Sequence, residues 1–388
     1  MCQDKLKKAY RSVKFEVKYF FKNFPLKKKI TAYFQRKKLQ SYKKKYNFIP
    51  VRDFMSKFEN HGITIDENVF DYKTNLFTVE NGFVSCYHEI AYVHQFGGDK
   101  AYTFKESCGI NKRIDADEIF YEKPLDLRTN VVEEDEVCML CFYNAGNYWH
   151  FTFDVLPKMM IMEKRGYTGK YVVNINGCVK EFLQMLDIPE DRIIYCPPGM
   201  AIKAKKVYMF DEYYGIGLGG KWLDDTREFI VERIEKKHGS LIDDSYPKKI
   251  YVSRIGTRRI INENQVIDYL APQGYAVIVP ENFSIYEQIK FFANVDIVVA
   301  PHGANVTNVL YSKKGTTLVE CFGHYWVNPC MVTTVELLNL DYHMICERFM
   351  HNIPNTGRFS NYIIDMTILK CIIQKITEYR KLKELIKK

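Results

Sequence analysis

The chain has 388 residues, of which 47% are hydrophobic, 15% aromatic and 27% charged. This composition excludes wholesale disorder, and the length predicts at least two domains that fold without disulfides or metals. No apolar run approaches the roughly 18–20 residues that span a bilayer. The lysine-rich first twenty residues lack the apolar core of a secretory signal peptide. We therefore expect a cytoplasmic protein.

The net charge of +9 is unevenly distributed. Residues 1–45 carry 16 lysines and arginines against two acids, a net +14, which leaves −5 for the rest of the chain. An acidic body argues against a nucleic-acid-binding protein. Apolar residues from Leu6 to Phe24 recur at helical spacing, so this leader is predicted to be a basic amphipathic helix. It either lies peripherally on the anionic inner face of the plasma membrane or packs on the body.

Eleven cysteines are scattered along the sequence. Only Cys138 and Cys141 have the spacing of a metal or redox pair. They fall in an apolar run typical of a strand, in which positions three apart lie on opposite faces. We predict reduced thiols that are buried as small apolar groups.

The body divides at a polar stretch, residues 238–248, which is typical of a linker. Before it, residues 46–240 mix short apolar runs with helical segments and are predicted to form an N-terminal α/β domain. After it, strands alternate with helices over 249–350, which predicts βαβ units and a parallel, doubly wound sheet. Residues 351–388 are predicted to form a basic C-terminal helical segment.

The loop after the first strand of the second domain is rich in arginine. Arg254, Arg258 and Arg259 lie between a strand end and a helix start that carries Asn262 and Glu263. Ligands bind at the carboxyl ends of parallel strands, and guanidinium groups match phosphate oxygens. The pattern predicts a phosphate-binding loop. The alternative is a solvated turn with ion pairs.

A second polar loop, P-H-G-A-N-V-T-N, follows the buried run Asp296–Ala300. Its small residues, Gly303 and Ala304, would let a phosphate approach the backbone. Polar side chains surround them, namely His302, Asn305, Thr307 and Asn308. Glu320, near the end of the next strand, could accept hydrogen bonds from ribose hydroxyls or could instead be a cap or surface acid.

In the first half, His150 and Asp154 are four residues apart and would share one face of a helix. A carboxylate beside an imidazole fixes its tautomer and raises its basicity, as a general base requires. Pro157 could leave this stretch partly irregular. The alternative is a buried, hydrogen-bonded histidine in an aromatic cluster.

Signals for metals and cofactors are weak. Asp115 and Asp117 have the D-x-D spacing with which metal-dependent sugar transferases hold a cation, but they lie in a charged stretch with no preceding strand. Neither a G-x-G-x-x-G nor a complete phosphate-loop motif is present. We predict no metal site and no cofactor.

Four segments of roughly residues 140–345 resemble, in their order, the motifs of glycosyltransferase family 61. They are N-Y-W-H-F-T-F-D-V-L-P-K, Y-V-S-R…R-R…N-E, H-G-A-N-V-T-N and L-V-E. The resemblance implies an α/β fold of GT-B type, with two Rossmann-like domains facing a central cleft. It also implies inverting, metal-independent transfer. The lysine-rich start makes the chain more similar to the bacterial members, which are associated with capsular and surface polysaccharides.

The resemblance also implies roles for the loop residues. Arg258 and Arg259, with Arg254, would hold the diphosphate of a nucleotide sugar, for which a UDP-linked donor is favoured. The His302–Asn305 turn would neutralise the leaving nucleotide diphosphate, and Glu320 would bind the ribose.

The acceptor would be a glycan or a lipid-linked glycan. His150, oriented by Asp154, would deprotonate its hydroxyl, although either residue could bind the acceptor instead. Two other functions stay open. One is a non-catalytic glycan- or nucleotide-binding protein on the same scaffold, and the other is a membrane-associated interaction protein.

Overall fold

The structure is a computed structural model. It describes residues 48–59, 61–87, 90–97, 100–104, 131–142, 145–175, 177–196, 199–211, 220–324, 326–347 and 359–387. The leader (residues 1–45) and the D-x-D motif at Asp115 and Asp117 lie outside the described residues. What the sequence predicts for them therefore stays a prediction.

Helices and two sheets make up the described chain, which confirms the α/β class. The strands are β1 Phe48–Ile49, β2 Ile63–Asp66, β3 Leu76–Tyr87, β4 Ile90–Gly97, β5 Lys100–Phe104, β6 Val131–Met139, β7 Lys170–Val173, β8 Ile193–Tyr195, β9 Ala201–Phe210, β10 Lys249–Val252, β11 Ala276–Ile278, β12 Ile297–Pro301, β13 Thr317–Phe322 and β14 Asp341–Cys346. The α-helices are α1 Val51–Lys57, α2 Tyr148–His150, α3 Leu156–Lys164, α4 Val179–Met185, α5 Gly220–His238, α6 Glu263–Leu270, α7 Ile285–Asn294, α8 Cys330–Leu337 and α9 Met366–Lys387.

The first sheet is mixed, with the order β1-β5-β4-β3-β9-β6-β7-β8 and with β2 paired to β3. Strands β9, β6, β7 and β8 are parallel to their neighbours in this run. By contrast, β3 is antiparallel to β2, β4 and β9. The sheet thus differs from the all-parallel sheet of a Rossmann-like domain, because short connections such as the one between β3 and β4 can join only antiparallel strands.

The second sheet is parallel throughout, with the order β11-β10-β12-β13-β14. This agrees with the alternation of strands and helices in the sequence. The order reverses between β10 and β12, since β11 pairs on one side of β10 and β12 on the other. At such a switch point the following loops diverge and open a crevice at the carboxyl edge.

One cluster of buried apolar side chains extends through both halves of the chain. It joins Leu156, Phe182 and Trp222 from the first half to Val298 and Leu310 from the second. The helices that carry the motifs of the two halves are therefore packed on a shared core. Among the helices of the described ranges, none is both long and apolar enough to cross a membrane.

Two cysteines depart from the sequence-based prediction. Cys86 at the end of β3 and Cys196 after β8 form a disulfide, so the expectation of reduced thiols is wrong for this pair. They are 110 residues apart in the chain, and only the folded sheet brings their Cα atoms within 5.7 Å. Cys138 and Cys141 are buried in two different apolar clusters, which confirms that they lie on opposite faces of the sheet.

Candidate ligand site at the carboxyl edge of the parallel sheet

A small, partly open pocket lies at the carboxyl edge of the second sheet and is called the cavity below. Its walls come from the loop after β10, the ends of β12, β13 and β14, and the segment of residues 359–362. Arg258, His302, Trp326 and Glu347 are among the side chains that line it. It lies at the carboxyl ends of parallel strands, where ligands of such sheets bind.

The wall formed by residues 359–362 is fastened to the arginine-rich loop by backbone pairing. Tyr362 N–H donates to Arg259 O, and Ile261 N–H donates to Tyr362 O at 2.7 Å. The Asn361 side chain accepts from Arg259 N–H at 2.9 Å. Tyr362 O–H also donates to Cys321 O at 2.7 Å, and burial raises the pKa of this phenol well above its usual range. The Arg259 side chain itself is exposed.

Arg258 adopts a left-handed backbone conformation, with φ at +60°. Such a conformation costs a residue with a Cβ about 1–2 kcal/mol. The guanidinium of Arg258 stacks over the Trp326 ring, 5.0 Å from its centroid, and the Trp326 ring meets the His302 ring edge-on at 5.2 Å. A strained backbone conformation persists where the surrounding contacts hold the residue in place. Here the guanidinium of Arg258 lies along the cavity wall, stacked on Trp326.

Arg254 lies beneath the loop after β12. Its Nε donates to Thr257 O at 2.7 Å and its Nη1 donates to His302 O at 3.3 Å. The guanidinium occupies the space that a side chain on residue 303 would need, since a Cβ built on Gly303 would lie 1.6 Å from Nη1. Burial lowers the pKa of Arg254 from its usual value, but an arginine stays charged at neutral pH. Gly303 is thus required for this cation to sit against the turn.

His302 is oriented by a fully buried carboxylate. Its Nδ1 lies 2.6 Å from Glu320 Oε1, and Tyr342 O–H donates to Glu320 Oε2 at 2.8 Å. The imidazole also stacks on the Phe322 ring at 4.7 Å. Burial, followed by the charge of Glu320, raises the pKa of Tyr342. Both carboxylate oxygens of Glu320 are engaged and none of its surface is exposed, so its contacts in the structure are with His302 and Tyr342, and its role towards a ribose stays a prediction.

The two residues at the start of α6 make contacts within the fold. The Asn262 side chain accepts from Ile364 N–H and donates to Ile364 O, both at 2.9 Å. Glu263 accepts from Tyr251 O–H, also at 2.9 Å. Burial, followed by the charge of Glu263, raises the pKa of that phenol. These contacts stabilise the loop after β10, and neither side chain lines the cavity.

The remaining predicted residues lie on the 3-10 helix Ala304–Tyr311 that follows β12. Ala304 and Asn305 are partly exposed in its first turn. Thr307 and Asn308 are fully buried, and Asn308 accepts a hydrogen bond from Tyr148 O–H. Burial raises the pKa of Tyr148 well above its usual range. This bond joins the helix to α2, so it places the His150 segment beside the loop after β12.

His150 and Asp154 are paired as the sequence predicts, with 2.8 Å between Nδ1 and Oδ2. They lie at the start of a π-helical turn, Phe151–Val155, which separates α2 from α3. Pro157 lacks the N–H that an α-helix would donate to the carbonyl four residues earlier, which accounts for the wider turn. The Asp154 side chain is fully buried, whereas that of His150 is 20% exposed. His150 is therefore the member of the pair that solvent can reach.

Several cavity residues have no motif in the sequence. Trp326, Glu347, Ser360 and Asn361 line the cavity, but each stands alone in its segment of the sequence. The one available signal was topological, because residues that follow β13 and β14 had to reach the same sheet edge as His302.

Among the described residues, no group of three or more His, Cys, Asp or Glu side chains is arranged to hold a metal ion. The fold and the site together define an α/β protein whose parallel sheet carries, at its carboxyl edge, a cavity lined by aromatic rings, an arginine and a glutamate.

Comparison with known proteins finds a family match for part of the chain. Residues 148–319 match the model of Glycosyltransferase 61, the family that the sequence motifs resemble. The match begins at α2 and ends within β13, and it includes His150, Arg258 and His302.

A curated relative agrees with this assignment. Over 125 residues the chain is 27% identical to mouse Protein O-linked-mannose beta-1,4-N-acetylglucosaminyltransferase 2. The matched stretch covers 31% of this chain and 21% of the mouse enzyme. The chain thus spans about a fifth of the length of that relative.

Proposed function

We propose that this protein is an inverting, metal-independent glycosyltransferase of GT-B type that transfers a sugar from a UDP-linked donor to a growing surface or capsular polysaccharide. The observation that carries the proposal is the cavity in which Arg258 and His302 meet at the carboxyl edge of a parallel sheet. The glycosyltransferase 61 match over residues 148–319 supports the reaction class.

The cations of the site would bind the donor's diphosphate. Arg258 lines the cavity and Arg254 lies directly behind the Gly303 turn, while the exposed Arg259 can reach from the same loop. Fixed cations of this kind stabilise the negative charge that develops on a departing nucleotide diphosphate. Because guanidinium groups supply that charge without a divalent ion, the proposed mechanism requires no metal.

His302 would contact the same phosphates. Glu320 holds Nδ1, so Nε2 is the ring nitrogen that would face the ligand. A hydrogen bond from an imidazole N–H to a charged phosphate oxygen is charge-assisted and stronger than a bond between neutral groups.

His150 would be the general base that removes a proton from the acceptor hydroxyl. Asp154 fixes the tautomer by holding Nδ1, and the proton would be taken at Nε2. The Tyr148–Asn308 hydrogen bond supports this role, because it ties the base-bearing segment to the loop that would hold the leaving group. Direct attack by the activated hydroxyl would invert the anomeric centre.

Two features support the GT-B proposal. The second sheet is parallel, and its order β11-β10-β12-β13-β14 is that of a doubly wound sheet, a class that binds ligands at its switch point. The first sheet contributes a parallel run, β9-β6-β7-β8, and carries the His150 segment at its border with the second half.

Cellular location stays a prediction from the sequence. The basic leader favours the cytoplasmic face of the plasma membrane, where lipid-linked acceptors would be within reach. The Cys86–Cys196 disulfide weighs against a cytosolic site, because disulfides are rare there. Fractionation of cells that express the chain with and without residues 1–45 tests the role of the leader. If the leader binds membrane, its deletion should shift the protein from the membrane pellet to the supernatant.

Calorimetric titration with UDP, with and without EDTA, tests the donor site. We expect UDP to bind equally well with and without the chelator. Arg258→Ala should lose about 10- to 150-fold in affinity, since a hydrogen bond to a charged group contributes about 1.5–3 kcal/mol. Arg227→Ala, on α5 and away from the cavity, is the matched control and should bind UDP normally. A magnesium requirement, or full affinity in Arg258→Ala, would contradict the proposal.

Catalysis needs its own measurement. Donor turnover followed by NMR of the product anomer should show inversion, and His150→Ala should lower kcat while UDP affinity is retained. UDP binding without hydrolysis or transfer of any donor would favour the alternative of a non-catalytic nucleotide- or glycan-binding protein.

A further inference from the structure

The last turns of α9 expose apolar side chains to solvent. The helix packs on the second sheet through buried residues that include Ile373 and Ile376. Beyond Ile376 its described side chains are exposed or half-buried. Leu382, Leu385 and Ile386 are 55%, 70% and 76% exposed, and the last two are the most exposed large apolar side chains among the described residues. Such a cluster at the end of a helix marks a surface that a partner covers.

These exposed turns lie at the amino edge of the second sheet, opposite the cavity. Arg380 Nη2 donates to Asp296 O at 2.7 Å and to Gly315 O at 2.9 Å, and these carbonyls precede β12 and β13. Tyr362, shortly before the helix, lines the cavity at the carboxyl edge. From Met366 to Arg380 the helix rises about 21 Å, at about 1.5 Å per residue. The exposed turns are therefore remote from the proposed donor site.

The exposed apolar residues continue a stripe along α9. Its members recur at alternating spacings of four and three residues, which places them on one face of a helix. They are Ile368, Ile372, Lys375, Tyr379, Leu382 and Ile386. The first two pack partly against the buried cluster of the second sheet. The uncovered part of the stripe thus begins at Lys375 and ends at Ile386.

The distribution of charge indicates which partner fits this face. Residues 366–388 hold six lysines and one arginine against two glutamates, a net +5. The leader, with its net +14, would be repelled by this helix, and so would the same helix of a second copy. An anionic lipid surface attracts lysines and buries an apolar stripe at the boundary between headgroups and acyl chains. The phenol ring of Tyr379 is typical of residues at that boundary.

We propose that the end of α9, from Lys375 to Ile386, is a docking surface for an anionic lipid bilayer. Leu382, Leu385 and Ile386 would enter the headgroup boundary. The ammonium groups of Lys375 and Lys381 would contact lipid phosphates. A protein docked by this end keeps the cavity, at the opposite edge of the sheet, open to solvent. The surface is separate from the leader, and it does not depend on the proposed reaction.

A tryptophan placed on the surface reports contact with lipid at this position alone. The test compares the fluorescence emission of full-length Leu385→Trp with that of the wild type, with and without vesicles of equal parts phosphatidylglycerol and phosphatidylcholine. In buffer we expect the added indole to emit as a water-exposed one, because Leu385 is 70% exposed. Anionic vesicles should shift this emission to shorter wavelength, and vesicles of phosphatidylcholine alone should not. A local signal is needed because the leader is itself predicted to bind membrane.

Partition of the full chain into the same anionic vesicles tests the side chains. Replacing Leu382, Leu385 and Ile386 together by glutamine should lower the partition coefficient by about 10-fold or more, since burial of one leucine-sized side chain already changes it by about that factor. Ile255→Gln is the matched control. Ile255 is 59% exposed on the loop after β10, at the opposite edge of the sheet, and the control should partition as the wild type does.

Three results would overturn the proposal. If the emission of Leu385→Trp does not shift while the chain still binds the vesicles, the membrane contact lies elsewhere, as in the leader. If the emission is already at short wavelength without vesicles and depends on protein concentration, a second copy covers the face. If it is so at every concentration, other residues of the same chain cover it. UDP binding enters none of these measurements, so the proposed function can fail without affecting them.

Discussion

Replacing Gly303 by alanine is expected to weaken nucleotide binding by displacing Arg254. The new Cβ would lie 1.6 Å from Nη1 and 2.8 Å from Cζ of Arg254, so the guanidinium has to leave the turn. The φ angle of Gly303 is 167°, an extended conformation that alanine adopts without strain. The effect of the substitution therefore falls on Arg254 and not on the backbone.

The magnitude follows from the contacts that are lost. Displacement breaks the bonds from Arg254 to Thr257 O and His302 O, which should lower the free energy of unfolding by about 2 kcal/mol at about 1 kcal/mol each. Loss of one charge-assisted hydrogen bond to a phosphate costs about 1.5–3 kcal/mol of binding free energy, which is about 10- to 150-fold in the Kd for UDP.

A double-mutant cycle isolates the cause. UDP titrations are carried out on the wild type, Gly303→Ala, Arg254→Ala and the double variant. Once Arg254 is truncated the added methyl has room, so the double variant should bind UDP as Arg254→Ala does, within about 0.5 kcal/mol. Gly220→Ala is the control, because its Cβ would meet only Leu337 at 3.6 Å. If the losses of UDP binding free energy in the two single variants add up in the double variant, the steric argument is refuted.

Three further outcomes are expected. Arg258→Gly should raise the free energy of unfolding by about 1 kcal/mol in urea denaturation, because glycine adopts the positive φ of this position without strain. The affinity for UDP should fall. A variant that is less stable than the wild type would contradict this prediction. Burial lowers the pKa of His94 to about 3, so as the pH drops from 6.5 towards 3 this histidine is protonated in the unfolded chain but not in the folded one. The free energy of unfolding should therefore fall over this range, by at most about 1.4 kcal/mol per pH unit. His94→Gln should make this pH dependence shallower. Reductant should lower the free energy of unfolding by about 2–4 kcal/mol through the Cys86–Cys196 disulfide, with no effect on a variant in which both cysteines are alanine.

The controls for these three measurements are matched by position. Arg258→Ala removes the same side chain and keeps the strained backbone, so its stability should lie below that of Arg258→Gly. Burial also lowers the pKa of His343. Replacing it by glutamine should leave most of the pH dependence of the free energy of unfolding unchanged. Alkylation of the exposed Cys371 should not change the response to reductant.

Local pattern was sufficient wherever the relevant contacts are close in the chain. The alternation of apolar strands and helices after residue 249 predicts the parallel sheet, because each unit carries its own periodicity. The spacing of His150 and Asp154 predicts their pairing, since side chains four apart meet on one face of a helix. The arginine-rich and H-G-A-N loops could be placed at a ligand edge from the order of elements alone.

What the sequence by itself determined was therefore the α/β class, the resemblance to glycosyltransferase family 61 over residues 148–319 and the position of two polar loops at the sheet edge. The tertiary structure decided which side chains share the cavity. It buried Glu320 behind His302 and placed Glu347, Trp326 and residues 360–362 in the cavity wall. The physical reason is that these contacts join segments that are distant in the chain. Strand pairing at the sheet edge and the bridge between residues 260 and 362 bring these segments together, and local periodicity in the sequence does not predict such pairings.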